Sequence, residues 1–325
     1  MAAWQKDFGD AFVRISELLH YLEITPKDQE AFLELHGNDF PLRVPRPFAE
    51  RMQKGNIDDP LLLQVLASPL EQLIAPGFNA DPVGDQTRMR SKSMIQKYRG
   101  RALIITTGAC AIHCRYCFRK SFPYEQQSLT PRHTEQLLQE ITLDPSLSEI
   151  ILSGGDPLSL SDDRLSLLIE GIASIPHVST LRIHTRLPIV IPNRVTPNLL
   201  AFLETLPLHK VMVVHANHAD ELDESVEIKM KALSNTGTLL LNQSVLLRGV
   251  NDRADTLVQL SKRLLECGVL PYYLHQLDRI QGSQHFEVTD RKAMDLVKSI
   301  RAELPGYLVP RLVREIEGQP SKSPL

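Results

Sequence analysis

Residues 149–186 read EIILSGGDPLSLSDDRLSLLIEGIASIPHVSTLRIHTR. A short apolar run, EIILSGG, gives way to an amphipathic stretch, DRLSLLIEGIASI, and then to a second short run, TLRIHTR. The two runs are too short for helices and are rich in β-branched residues, as expected of strands covered on both faces. The stretch between them has helical periodicity. Strand, helix and strand in this order build a parallel unit with a right-handed crossover.

Outward from this segment the same unit recurs, roughly every 25 to 35 residues. ALIITTGA begins at Ala102, KVMVVHAN at Lys210, TLLLNQSVLL at Thr238 and VLPYYLHQL at Val269. Amphipathic segments HTEQLLQEI, NLLAFLETL, ESVEIKMKALS and DTLVQLSKRLLECG separate the runs. Six such units predict an α/β fold built as an incomplete parallel barrel of (β/α)6 type over residues 101–305. A doubly wound open sheet would read similarly. In a barrel the chemistry gathers at the C-terminal ends of the strands. Residues 1–100 read as a helical N-terminal extension, with FVRISELLHYLEI and PLLLQVL broken by FPLRVPRPF and IAPGFNADPVGD. Such an extension packs against the barrel or against a neighbouring subunit of a homo-oligomer. Residues 306–325 resume a strand and end in a polar tail, GQPSKSPL.

The composition narrows the class. A chain of 325 residues, 42 % hydrophobic, has material for a large core. A net charge of −3 gives no general attraction to nucleic acid or anionic membrane. No apolar run is long enough to span a bilayer, and MAAWQKDFGDAF is not a secretory signal. The expectation is a soluble cytoplasmic protein. Three of the four cysteines, Cys110, Cys114 and Cys117, fall within eight residues, and Cys267 stands far away. Disulfide staples would not crowd in this way, so the cluster points to a metal or redox centre.

Cys110-Ala-Ile-His-Cys114-Arg-Tyr-Cys117 follows the first barrel strand directly. Three thiolates on one loop suit three irons of a [4Fe–4S] cluster and leave the fourth iron open. A structural zinc needs four closed ligands, the fourth here being Cys267 or a histidine such as His113. Cys267, at a helix end before Gly268, reads as a small buried residue.

With Tyr116 just before its last cysteine, this loop resembles the radical S-adenosylmethionine signature. The resemblance extends through LSGGDPL at Leu152, HTRLPIVIPNRVTP at His184, LLNQSVLLRGVND at Leu240 and PYYLHQLDRIQGSQHF at Pro271. Over these segments the sequence is similar to the lysine 2,3-aminomutase family. RVPRPF, CRYCFRKSFPY and LVPRLVREIEGQPSKSPL resemble the branch that makes β-lysine for elongation factor P. The cofactors implied are a [4Fe–4S] cluster, S-adenosylmethionine and pyridoxal 5′-phosphate. The partners implied are lysine as substrate and, through its product, elongation factor P and its lysyl ligase.

The resemblance also assigns residues. Ser153, Gly154, Gly155 and Asp156 end the second strand, where glycines let a ligand approach the backbone and Asp156 can address the amino group of S-adenosylmethionine. His215, Gln243 and Ser244 fall at strand ends and are implied to line the same cofactor cavity. Lys322 in PSKSPL reads from composition as a solvated tail lysine. The family carries its Schiff-base lysine at this place in a GGGGK loop, which here is Gly318-Gln319-Pro320-Ser321-Lys322. Lys97, Tyr98 and Arg101 match the phosphate side, where the family favours arginine at the first position. Arg119 matches the arginine that binds the substrate carboxylate. Asp278 matches one acid for the distal ammonium, and Glu315 stands where the family has aspartate.

Overall fold

A computed structural model of the chain describes residues 2–25 and 40–325. Among the described residues, ten strands form one sheet in strict chain order. They are β1 (Met89–Ser91), β2 (Met94–Ile95), β3 (Arg101–Thr107), β4 (Glu149–Gly154), β5 (Thr180–Thr185), β6 (His209–Val214), β7 (Leu239–Val245), β8 (Leu270–His275), β9 (Arg311–Arg314) and β10 (Ser323–Pro324). From β3 to β9 every neighbour is parallel. The hairpins β1–β2–β3 and β9–β10 are antiparallel. A doubly wound sheet would reverse its strand order part-way. Unbroken order is that of a barrel, and among the described residues its edges β1 and β10 do not pair, so the barrel is incomplete.

Each of β3 to β8 is followed by a helix, giving the six expected units: Pro131–Thr142, Asp162–Ala173, Pro197–Thr205, Glu224–Asn235, Ala254–Glu266 and Asp290–Glu303. Four of these start on side-chain caps that accept from the third backbone amide: Ser161, Thr196, Asp223 and Thr289. Strand alternation sorts the two faces. On β5, Leu181 and Ile183 are buried in the main core, while Arg182 and His184 face the lumen.

Among the described residues of the first hundred, short helices precede the β1–β2 hairpin, which extends the sheet. Ser93, at φ +70°, turns between those strands. Residues Arg43, Gln64 and Glu71 of this segment brace the cysteine loop from outside. His113 N–H donates to Arg43 O at 3.0 Å and Arg115 N–H to Gln64 O at 2.9 Å. Arg115 Nε donates to Glu71 Oε1 at 2.8 Å, a buried ion pair. Among the described residues, no helix is long and apolar enough to cross a membrane.

Candidate active site

One cavity of about 710 Å³ occupies the lumen, and Cys110, Cys114 and Cys117 all line it. Their placement depends on Gly154 and Gly155. A Cβ on Gly154 would lie 2.7 Å from Thr107 O, and one on Gly155 2.5 Å from Ala109 O. The glycines therefore admit the chain's own backbone, and both also line the lumen. Gly155 N–H donates to Thr107 O at 2.7 Å and Asp156 N–H to Ala109 O at 2.8 Å, so these amides are already used. This close seam sets the loop that begins at Gly108.

Asp156 is also engaged. Its carboxylate accepts from Leu158 N–H, the Thr185 hydroxyl, Arg186 N–H and Leu187 N–H at 2.6 to 3.0 Å. It ties the end of β4 to the end of β5 and has no vacant edge for an amino group.

Burial pushes the Cys110 thiol well up, and the charges of Cys117, Asp156 and Cys114 push it further. Burial, followed by Cys114, pushes Cys117 to about 11. Two thiols so raised, with Cys114 beside them on the same wall, fit a cationic group bound among them, as an iron–sulfur core is. Cys267 is fully buried in the hydrophobic core, away from this wall, so a four-cysteine zinc site is not assembled. Arg186 Nη1 donates to Cys114 Sγ at 2.6 Å and to the Tyr116 hydroxyl at 2.9 Å. Its Nη2 donates to Glu221 Oε2 at 2.8 Å and Gln64 Oε1 at 2.7 Å. The Tyr116 hydroxyl also meets Asn217 Nδ2 at 2.7 Å and His215 Nε2 at 2.8 Å. Burial, then the Arg186 charge, lowers His215 to about 3, so its ring is neutral.

Gln243 lines the cavity, and Ser244 does not. Consecutive strand residues point to opposite faces. The Ser244 hydroxyl faces the other way, donating to Ala216 O at 3.0 Å and accepting from Asn242 at 2.9 Å. Its expected place among the cofactor residues is therefore corrected to a structural one.

The remaining predicted residues meet along the same lumen. Lys97, Tyr98, Arg101, Arg119, Asp278, Glu315 and Lys322 all line it. Lys322 Nζ donates to Glu315 Oε2 at 2.7 Å, and the Tyr98 hydroxyl to Glu315 Oε1 at 2.6 Å. Arg101 stacks over the Tyr98 ring, 4.8 Å from its centroid. Burial pushes the Asp278 carboxyl up to about 7, against the pull of Lys322. Among the described residues nothing hydrogen-bonds or ion-pairs with that carboxylate, so it is open to a ligand cation.

Several residues of this cavity escaped the sequence reading. Asp85 bridges Arg119 Nε at 2.6 Å and Lys97 Nζ at 2.7 Å. Burial opposes its charge, but Arg119 and Lys97 outweigh burial and hold its pKa below the usual range. His184 and His275 line the lumen too, kept neutral first by burial and then by neighbouring cations. Arg186 stood within the quoted HTRLPIVIPNRVTP, where an arginine just past a strand end was its signal. Gln64 and Asp85 gave none, lying in a helical patch and in a proline-rich break between such patches.

A barrel with three thiols at the C-terminal end of its first parallel strand defines the class, and residues 104–260 match the model of the Radical SAM superfamily. Curated relatives narrow it. The L-lysine 2,3-aminomutase of Escherichia coli is 46 % identical, covering 99 % of this chain and 94 % of that protein. That of Haemophilus influenzae is 45 % identical over 87 % and 84 %, and that of Buchnera aphidicola 40 % over 98 % and 94 %. The chain belongs to the L-lysine 2,3-aminomutase family, whose members are radical SAM isomerases.

Proposed function

We propose that the protein converts L-α-lysine to β-lysine by moving the 2-amino group to carbon 3, using a [4Fe–4S] cluster, S-adenosylmethionine and pyridoxal 5′-phosphate. The observation that carries this reading is the lumen that holds the three thiols, a lysine, an arginine and an unpartnered acid together. When bound, these groups supply a carbon-centred radical and a carrier for the migrating nitrogen. Cys110, Cys114 and Cys117 would hold the cluster. Tyr116, Gln243, His215 and the Ser153–Asp156 turn would shape the wall for S-adenosylmethionine. Lys322 would carry the pyridoxal, with Lys97, Tyr98 and Arg101 toward its phosphate.

The chain's own work is to bind, orient and exclude water. Arg119 presents a planar fork to the lysine carboxylate. Asp278 offers its carboxylate to the distal ammonium, a cation whose desolvation is costly without a countercharge. Glutamate as substrate would need a cation at that end. The neutral histidines and the apolar wall around Ile151 and Leu103 keep charge and water from the reacting carbons.

The finer reading is that the product is the R enantiomer and serves the modification of elongation factor P. Its support is the likeness of RVPRPF, CRYCFRKSFPY and the C-terminal segment to that branch. An anaerobic assay of the reconstituted enzyme with L-lysine, followed by chiral separation, tests both levels. (R)-β-lysine is the expected product. Absence of β-lysine from protein loaded with iron and pyridoxal overturns the activity, and the S form overturns the branch assignment.

A further inference from the structure

Between the two cations that this function sends to different anions sits a buried carboxylate. The side chain of Asp85 is 2 % exposed. Its Oδ2 accepts from Arg119 Nε at 2.6 Å, while Oδ1 lies 2.7 Å from Lys97 Nζ. On the far side, Arg119 Nη1 donates to Ser153 Oγ at 3.0 Å. A guanidinium has five N–H donors in a fixed fork. These contacts use the Nε–H and one Nη1–H. Among the described residues, both Nη2 protons and the second Nη1 proton are left without a side-chain or backbone acceptor. The free donors are thus on Nη2 and Nη1, and parallel donors from that end of a guanidinium match the two oxygens of a carboxylate.

Asp85 is itself held firmly. Its N–H donates to Asp81 Oδ1 at 2.9 Å, and the next amide, Gln86 N–H, to Asp81 Oδ2 at 3.0 Å. Gly84 before it stands at φ +63°, where a Cβ would lie 2.5 Å from the Glu317 side chain. Lys97 is fixed a second time, donating to Val83 O at 2.7 Å. The acid thus has little freedom to follow a moving arginine. It dictates the plane and edge that Arg119 shows to the lumen.

We propose that Asp85 is a positioning residue for substrate recognition: by clamping Arg119 through Nε it turns the Nη1/Nη2 edge to the α-carboxylate, and so makes the site select amino acids over amines. This rests on Arg119 as the carboxylate-binding residue. An asparagine at position 85 keeps the size but offers one acceptor to two cations, so the clamp fails without a change of volume.

The test compares lysine with 1,5-diaminopentane, which is lysine without its carboxylate. Binding of each to the cluster- and pyridoxal-loaded enzyme is followed by the change in pyridoxal absorbance. In Asp85→Asn, lysine affinity should fall roughly 10- to 100-fold, the range for a hydrogen bond to a charged group, while the diamine changes little. Equal loss for the two ligands, at unchanged iron and pyridoxal content, would mean a merely structural acid and overturn the proposal. Adding Asp85→Asn to Arg119→Gln should cost nothing further for lysine, and an additive loss also overturns it. If Arg119→Gln alone binds lysine like the parent, the reading of Arg119 is what fails. Should Asp85→Asn not fold, Asp85→Glu keeps the charge and displaces the clamp by one methylene. It should narrow the lysine-to-diamine preference severalfold, and an unchanged preference overturns the proposal.

Discussion

Lys322 Nζ lies 2.7 Å from Glu315 Oε2, and the β9–β10 hairpin puts it there. The register pairs Ser323 with Arg314, so the residues just beyond that pair, Glu315 and Lys322, close the turn against each other. Gly318, at φ +83°, lets the chain reverse between them. A tail that reads as solvated from composition is thus a strand of the sheet, with its lysine directed into the lumen. The pairing also joins two residues read for separate tasks, one for the pyridoxal and one for the substrate ammonium. Asp278, by contrast, is left free for a cation.

Lys322→Ala should abolish the pyridoxal absorbance and leave the iron–sulfur absorbance intact, because the cysteine loop and the hairpin are separate segments. Borohydride reduction of the loaded enzyme, followed by peptide mass analysis, should place the label on Lys322. A label on Lys97, which lies 3.5 Å from the same carboxylate, would move the assignment. Losing one partly exposed ion pair should cost folding stability only about 1 kcal/mol.

Replacing Cys110, Cys114 or Cys117 with Ala should each remove the brown colour and the activity. Cys267→Ala should keep the full iron content and cost roughly 1 kcal/mol in stability, from a small core cavity. Iron loss in the Cys267 variant would make it a ligand and contradict its place in the core.

The raised carboxyl of Asp278 makes lysine binding pH-dependent. Its folded pKa is about 7, against roughly 3.9 in an unfolded chain. The charged form is needed to receive an ammonium, so lysine affinity should climb as pH rises through about 7 and level off above it. The linkage to stability has the opposite sign. The folded state holds the extra proton below pH 7 and loses that advantage as pH rises through the folded pKa. Asp278→Asn should therefore stabilise the ligand-free protein at pH 8, on the order of 4 kcal/mol, with little effect near pH 4. It should also erase the pH dependence of lysine binding. Calorimetric melting at the two pH values, with and without lysine, checks both signs.

Arg186→Ala should be severely destabilising, on the order of 3–5 kcal/mol, because it strands Glu221 uncompensated and fully buried. Arg186→Ala/Glu221→Gln should recover part of that loss in urea unfolding. No recovery would show that the arginine matters through packing alone.

How far the sequence reached follows from which signals are local. The six strands and their helices were legible because each carries its own period, and a buried parallel strand is a short apolar run. β1, β2 and β10 have two or three residues each, too few for any period, and exist through pairing, β2 on β3, β1 on β2 and β10 on β9. Ser244 was misread because strand-end position identified a region, whereas alternation along β7 decides which of Gln243 and Ser244 meets the lumen. The thiols were legible as a spacing. Asp85 was not, since an acid between a glycine and polar residues looks like any turn until Arg119 is brought to it from another segment. Gln64 was hidden in the same way, read as part of a packing helix while its amide oxygen in fact receives Arg186.

Glu315→Asp bears most directly on the hairpin. The carboxylate retreats by one methylene, roughly 1.5 Å, enough to break hydrogen bonds of 2.6 and 2.7 Å to Tyr98 and Lys322. Charge and hairpin are both preserved, so folding stability should change by no more than about 1 kcal/mol. Freed of its partner, Lys322 should hold pyridoxal less precisely, and the substrate should tilt toward an acid that now sits elsewhere. The expected outcome is a lower turnover or an altered ratio of β-lysine enantiomers, with lysine still preferred over other amino acids. Asp278→Asn should instead weaken lysine binding itself, leaving pyridoxal loading unchanged. Steady-state kinetics with chiral product analysis on the two variants separates the roles. Wild-type rate and enantiomer ratio in Glu315→Asp would show that neither pyridoxal nor substrate depends on the length of this side chain, and would leave Asp278 as the acid that reads the ammonium.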